Sequence, residues 1–128
     1  MRKQKEVLIR TVKEVSEYQE VAHFTDDKVN FETIAELIFD ATGWTDKATF
    51  GKVRQVEAVF RRGIIDLIAN CNGITLLECA KKTWREHTTV MHSLRNIEDR
   101  LDTDMYARTT LREIMAYIRE NYKQRAQS

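Results

Sequence analysis

A run of polar side chains between Arg85 and His92 has the residue types that contact nucleic acid. The run reads REHTTVMH, with Val90 and Met91 as its apolar members. At the start of a helix such side chains reach base edges, and the free N–H groups of the first turn attract phosphate. The imidazole of His87 can donate to a base acceptor, whereas threonine offers a hydroxyl to phosphate and a methyl to thymine. By itself the run suits either contact with double-stranded DNA or an ordinary helix N-terminus, where threonine caps and a polar first turn are common.

The elements around this run have the outline of a helix-turn-helix. Thr75 is the expected N-cap of a short helix that extends from Leu76 to about Lys82. A break follows over residues 83–85, and a longer helix then runs from about residue 86 to residue 101. A short helix, a tight turn and a longer helix with a polar first turn place the run at the exposed start of a recognition helix.

Apolar residues at steps of three and four predict four further helices. They span, in order, Glu6 to about His23, Phe31 to about Thr42, Lys52 or Val53 to Asn70, and Tyr106 to Tyr122. Asn30 is the expected N-cap of the second of them, and Gly43 is expected to end it. The predicted inward face of the third comprises Val56, Val59, Phe60, Ile64, Leu67 and Ile68. Three arginines are expected to stay outside this face, namely Arg54, Arg61 and Arg62.

The composition favours a single all-α domain. The 128 residues include no proline and only 4 glycines, whereas sheets and hairpins need many turn residues. Hydrophobic residues at 42% and charged residues at 32% are ordinary for a globular chain. We predict an N-terminal helical extension over residues 1–30, a helical domain over 31–122 and a frayed tail over 123–128. The N-terminal helix either lies on the main core or forms a short coiled-coil seam of a homodimer.

Several segments occur in the order and the approximate spacing of one known family. They are residues 34–39 (IAELIF), Arg61-Arg62, residues 75–80 (TLLECA) and the run REHTTVMH. Together they resemble the C-terminal DNA-binding domain of the bacterial replication initiator DnaA, whose motifs include Ser-Leu-Pro-Glu-Ile-Gly and Arg-Asp-His-Thr-Thr-Val-x-His. The resemblance covers about residues 31–122. It implies an all-α helical bundle of the DnaA C-terminal and Trp-repressor type, containing a helix-turn-helix.

The resemblance also implies roles for individual residues. Those expected to read bases in the major groove are Glu86, His87 and Thr89. Those expected to hold the DNA backbone are Arg61, Arg62, Thr88 and His92. The family inserts an arginine from the loop before its long helix into the minor groove; Lys52 and Arg54 are the candidates, and Arg54 is preferred. Arg85, which opens the matching run, is counted among the DNA-binding residues.

The chain departs from the family's pattern at three places. Glu86 stands where the family has aspartate, one methylene shorter, so an acceptor for the cytosine amino group is kept. Leu77 replaces a proline, and the glycine pair of the turn is absent, with Thr83 and Trp84 nearby. Trp84 is predicted to plug the core at the turn, and the alternative is that it stacks on a sugar or a base.

Other classes of function have little support in the sequence. No Gly-x-x-x-x-Gly-Lys-Ser/Thr loop is present for nucleotide binding, and the acidic residues are scattered rather than paired as catalysis requires. Cys71 and Cys79 are expected to be buried free thiols. Together with His87 and His92 they lack the spacing of a zinc site, so neither a metal nor a cofactor is expected. Because no apolar run suits a membrane span or a signal peptide, a cytoplasmic location is expected.

Charge is distributed unevenly along the chain. The formal net charge is +1, but residues 52–100 carry nine basic and six acidic side chains (+3), and residues 31–51 carry one and four (−3). We interpret the chain as a sequence-specific double-stranded DNA-binding protein without enzymatic activity, acting as a stand-alone regulator of transcription or a replication-associated factor at an origin. The alternative is a protein-interaction module that keeps the fold without DNA affinity. Arg95 and Arg100 are assigned either to solvated surface or to phosphate contact.

Overall fold

The computed structural model describes residues 16–51 and 55–127, with side chains described as far as residue 123. Within these ranges all regular structure is helical and no strand occurs, which confirms the predicted all-α class. The helices are α1 (Gln19–Ala22), α2 (Phe31–Thr42), α3 (Asp46–Phe50), α4 (Val56–Cys71), α5 (Leu76–Thr83), α6 (His87–Thr103) and α7 (Met105–Gln127). None of them is both long and apolar enough to cross a membrane.

Helix α4 is the centre of the bundle. Every residue from Gly63 to Cys71 is buried, and α4 contacts α1, α2, α3, α5 and α6. Gly63 allows the close approach of α6, because a Cβ atom at this position would lie only 2.8 Å from the Cβ of Ile97. The surrounding core is formed by aliphatic side chains of α2, α6 and α7, among them Ile38, Leu101 and Met115.

Local capping bonds set the ends of the helices as the sequence predicts. The Asn30 side chain accepts from the Thr33 N–H at 2.9 Å, and the Thr75 hydroxyl accepts from the Glu78 N–H at 3.1 Å. Gly43 ends α2 with a φ of 80°, a conformation that glycine adopts without steric penalty. The predicted short and long helices before and after the turn are therefore confirmed within two residues as α5 and α6.

The predicted burial of the first turn of α4 is wrong. Val56 is 76% exposed and Val59 is 43% exposed, whereas Ala58 and Phe60 are buried. Helix α6 packs closely on α4 at Gly63. One to two turns toward the N-terminus of α4 the two helices leave a pocket between them, and polar residues of α6 line its other side. These include Ser93 and Asn96.

The two ends of the chain differ from the predicted pattern in different ways. Most of the predicted N-terminal helix, with its possible dimer seam, lies outside the described residues; the described part holds the one-turn helix α1. At the other end, α7 continues to Gln127 through most of the predicted tail, because no glycine or proline interrupts it. Its predicted inner face is confirmed, since Leu111, Ile114, Met115 and Ile118 are all buried.

The Asn72 side chain links the segment after α1 to the end of α4 by hydrogen bonds. Its Nδ2 donates to the carbonyl oxygens of Ala22 at 2.9 Å and Ile68 at 2.7 Å. Its Oδ1 accepts from the backbone N–H groups of Phe24 at 2.8 Å and Thr25 at 3.3 Å. A single buried amide therefore satisfies four backbone groups that have to be paired away from water.

We expect Asn72→Ala to lower the free energy of unfolding by about 3 kcal/mol, because buried backbone groups then lose their partner. Denaturant unfolding followed by circular dichroism measures this loss. Asn121→Ala is the matched control, since the Asn121 amide donates to the Tyr117 carbonyl of its own helix and its removal should cost less than about 1 kcal/mol. Equal losses in the two variants would contradict the role assigned to Asn72.

Candidate nucleic-acid interface

The connection between α5 and α6 is three residues long and is held by Arg85. Its guanidinium donates to both carboxylate oxygens of Asp66 in α4, at 2.9 and 2.6 Å. Its Nε donates to the Thr83 hydroxyl at 2.7 Å, and that hydroxyl donates to the Cys79 carbonyl at 2.8 Å. The ring centroid of Phe50 in α3 lies 5.4 Å from the guanidinium carbon. The turn is thus hydrogen-bonded to α4 and α5 and also contacts α3.

The ion pair between Arg85 and Asp66 is largely removed from solvent. Asp66 is fully buried and the Arg85 side chain is 10% exposed. Burial raises the pKa of the Asp66 carboxyl, and the hydrogen bonds and charge of Arg85 oppose that rise. Arg85, counted from the sequence among the DNA-binding residues, therefore has its guanidinium directed to the interior, where it positions the residues that follow it.

The first turn of α6 projects from this fixed point into solvent. Glu86 stands at its N-cap without a side-chain capping bond, and the three residues after it are exposed. Val90, the next residue, is fully buried and packs this end of α6 against the core. The structure therefore places on the surface all the side chains predicted to read bases, together with one predicted to hold the backbone: Glu86, His87, Thr89 and Thr88.

A groove of about 370 Å³ runs between α4 and α6 beside this turn. It brings together three of the residues predicted to contact DNA, Arg62, Thr89 and His92, and also touches Arg85. Its other lining residues are Val59, Ser93 and Asn96, which the sequence reasoning missed. The signal for the last two was present, because they follow Thr89 by four and seven residues and so share its face of the helix.

Arg62 is one of the two arginines that line this groove. Burial lowers its pKa, the positive charge of Arg85 lowers it further, and Asp66 opposes both effects. Its Nε donates to the Ala58 carbonyl at 3.3 Å, which holds the side chain along α4. An anion in the groove would offset the unfavourable desolvation of this guanidinium.

Two other arginines named from the sequence, Arg61 and Arg100, interact with acidic side chains and do not line the groove. Arg61 does not line the groove: its Nε is 3.6 Å from the Glu57 carboxylate, and its guanidinium carbon lies 5.3 Å from the centre of the Trp44 ring. Arg54 and its alternative Lys52 lie outside the described residues. Arg100, one of the two arginines left open, bonds the Asp104 carboxylate at 3.0 Å.

The prediction that Trp84 plugs the core is wrong. The residue is 96% exposed, and its φ of 56° is in the left-handed region. The left-handed conformation ends α5 and directs the indole outward, while Arg85 takes the inner position at the turn. A bulky residue in this conformation costs about 1 to 2 kcal/mol relative to the right-handed one.

Comparison with known proteins adds no assignment to this geometry. No protein-family model, no curated protein and no solved structure matches the chain.

We expect Arg85→Met to lower the free energy of unfolding by about 3 to 5 kcal/mol, because Asp66 is then buried without its ion-pair partner. The double variant Asp66→Leu with Arg85→Met should recover much of this loss, since the carboxylate left without a partner is removed as well. Arg95→Met is the exposed control and should change stability by less than about 0.5 kcal/mol. A single Arg85 variant as stable as this control in urea titrations would contradict the assigned role.

Proposed function

We propose that the protein binds double-stranded DNA with sequence preference, with α5, the turn and α6 acting as a helix-turn-helix. The observation that carries the proposal is the exposed and uncapped first turn of α6, held in place by the bonds between Arg85 and Asp66. A helix about 10 to 12 Å across fits the major groove, which is about 12 Å wide.

The chemistry of the first turn suits base recognition. The Glu86 carboxylate is an acceptor for a cytosine amino group, and the His87 imidazole can donate to a purine acceptor. The Thr89 methyl group suits the thymine methyl. All three side chains are exposed, and Glu86 makes no side-chain capping bond that a duplex would have to displace.

The neighbouring groove suits the sugar–phosphate backbone. Arg62 supplies positive charge and His92 a hydrogen-bond donor in the groove, and the exposed Thr88 supplies a further donor in the first turn of α6. Contacts of this kind fix the register of a protein on the duplex and bind all sequences alike. The local excess of basic residues over residues 52–100 supports the same assignment.

The proposed biological role rests on the resemblance to the DNA-binding domain of DnaA. We propose a cytoplasmic regulator of transcription or a factor associated with replication origins.

The proposed sequence-specific DNA binding is tested by selection from a random duplex pool, followed by anisotropy titrations of the selected and a scrambled duplex. Enrichment of one motif is the expected result, and neutralisation of about six phosphates should give a slope near −5 for log K against log[salt].

His87→Ala and Thr89→Ala should each weaken binding to the selected duplex by about 1 to 3 kcal/mol and relax the preference at one base position. Anisotropy on duplexes with single base changes measures both effects. Thr109→Ala, at an exposed position of α7, is the control and should bind as the wild type does. Unchanged preference in both first-turn variants would place the reading helix elsewhere.

Arg62→Ala should weaken binding to the selected and scrambled duplexes by the same factor and reduce the salt slope by about 1, because one phosphate contact is lost. Arg112→Ala removes an exposed arginine of α7 that does not line the groove and serves as the control. A normal slope for Arg62→Ala would remove the groove from the proposed interface.

An interaction module for another protein is the second candidate. The observation in its favour is an apolar pocket of about 170 Å³ between α4 and α6, beside the exposed side chains of Val56 and Val59. Apolar surface of this kind is typical of protein contacts. No enriched motif and a shallow salt slope in the selection experiment would favour this candidate over DNA binding.

A further inference from the structure

The indole of Trp84 is not packed into the core of the described part of the chain. It is the most exposed large hydrophobic side chain in the described part of the chain, so it gains no stability from burial. Its left-handed backbone conformation is one that glycine would adopt without strain. Trp84 thus lacks the stabilisation of burial and has an unfavourable backbone conformation. Such a residue points to a role in binding.

The position of Trp84 relative to α6 is fixed. It directly precedes Arg85, which is bonded to Asp66 in α4, and it stands two residues before Glu86 at the N-cap of α6. Two residues span at most about 7 Å between Cα atoms. The walls of a major groove about 12 Å wide lie about 6 Å from its centre line. A first turn of α6 seated in the groove therefore carries the indole to the groove wall.

We propose that Trp84 packs against the sugar–phosphate strand that borders the major groove, an inference that rests on the proposed duplex binding. The apolar face of the ring would cover a deoxyribose, and the indole N–H would donate to a phosphate oxygen. The contact carries no charge and touches no base edge. It therefore strengthens binding to every sequence without changing the salt slope.

The residues that flank the indole in sequence are polar rather than apolar. The exposed residues nearest to it in sequence are Lys81 and Lys82 before the turn and Glu86 and His87 after it. The indole is thus flanked in sequence by polar and charged groups, whereas surfaces that dock proteins are contiguous apolar patches.

Trp84→Gly separates the proposed contact from a structural role. Glycine relieves the left-handed strain, so the unfolding midpoint should equal or exceed that of the wild type. Affinity for the selected and scrambled duplexes should fall by the same factor, about tenfold, with an unchanged salt slope. Trp84→Phe keeps the ring without the N–H and should lose less affinity than Trp84→Gly.

Fluorescence gives an independent readout. The chain has 2 tryptophans, so the signal lost in Trp84→Gly belongs to Trp84 and the remainder to Trp44. Quenching of the Trp84 signal by acrylamide should be strong in the free protein and markedly weaker with saturating duplex, because the bound strand covers the ring.

Each failure has a distinct meaning. If the wild type binds duplex while Trp84→Gly binds equally well and quenching is unchanged, the Trp84 contact is wrong and the proposed function stands. Loss of affinity for one sequence only, or protection by single-stranded DNA but not by duplex, would also overturn the backbone contact. Absence of any duplex binding by the wild type overturns the proposed function and with it this inference.

Discussion

Asp66 is fully buried in the central helix, and a carboxylate there requires a partner of opposite charge. That partner, Arg85, belongs to the turn between α5 and α6, so neutralising the charge also determines where α6 begins. The same guanidinium lies against Phe50 and bonds Thr83. The start of α6 is therefore positioned by a charge requirement of the core rather than by the turn residues alone, and the proposed interface depends on it.

The proposed interface combines parts with different origins. The first turn of α6 supplies the groups suited to base edges, the groove beside α4 supplies Arg62, and the end of α5 supplies the exposed ring of Trp84. All three meet at the turn that Arg85 holds. One to two turns earlier in α4, the exposed valines Val56 and Val59 border an apolar pocket, and Val59 also lines the groove. Polar and apolar surfaces thus adjoin along the same pair of helices.

The helices could be predicted from the sequence because their limits depend on local bonds. Asn30, Thr75 and Gly43 act within four residues of their own positions. The pairing of Asp66 with Arg85 could not be predicted, because the two residues are 19 apart and meet only through the packing of two helices. An aspartate within an apolar helix was visible in the sequence, but its partner was not.

The candidate site was predictable to a similar extent. A polar first turn on α6 follows from residue types and helical spacing, whereas the groove depends on how α4 and α6 cross. Trp84 was placed wrongly because an apolar residue at a turn is assigned to the core by default. Its orientation depends on the left-handed end of α5, a conformation expected for glycine rather than tryptophan.

Gly63 has a further consequence for the kind of ligand this surface can select. With Ile97 against its Cα, α6 has no room to move closer to α4 at this point. A duplex that met this surface would have to supply the conformational adjustment itself. Preference among sequences would then include how readily each duplex bends or narrows its groove, even at base pairs that the protein does not touch.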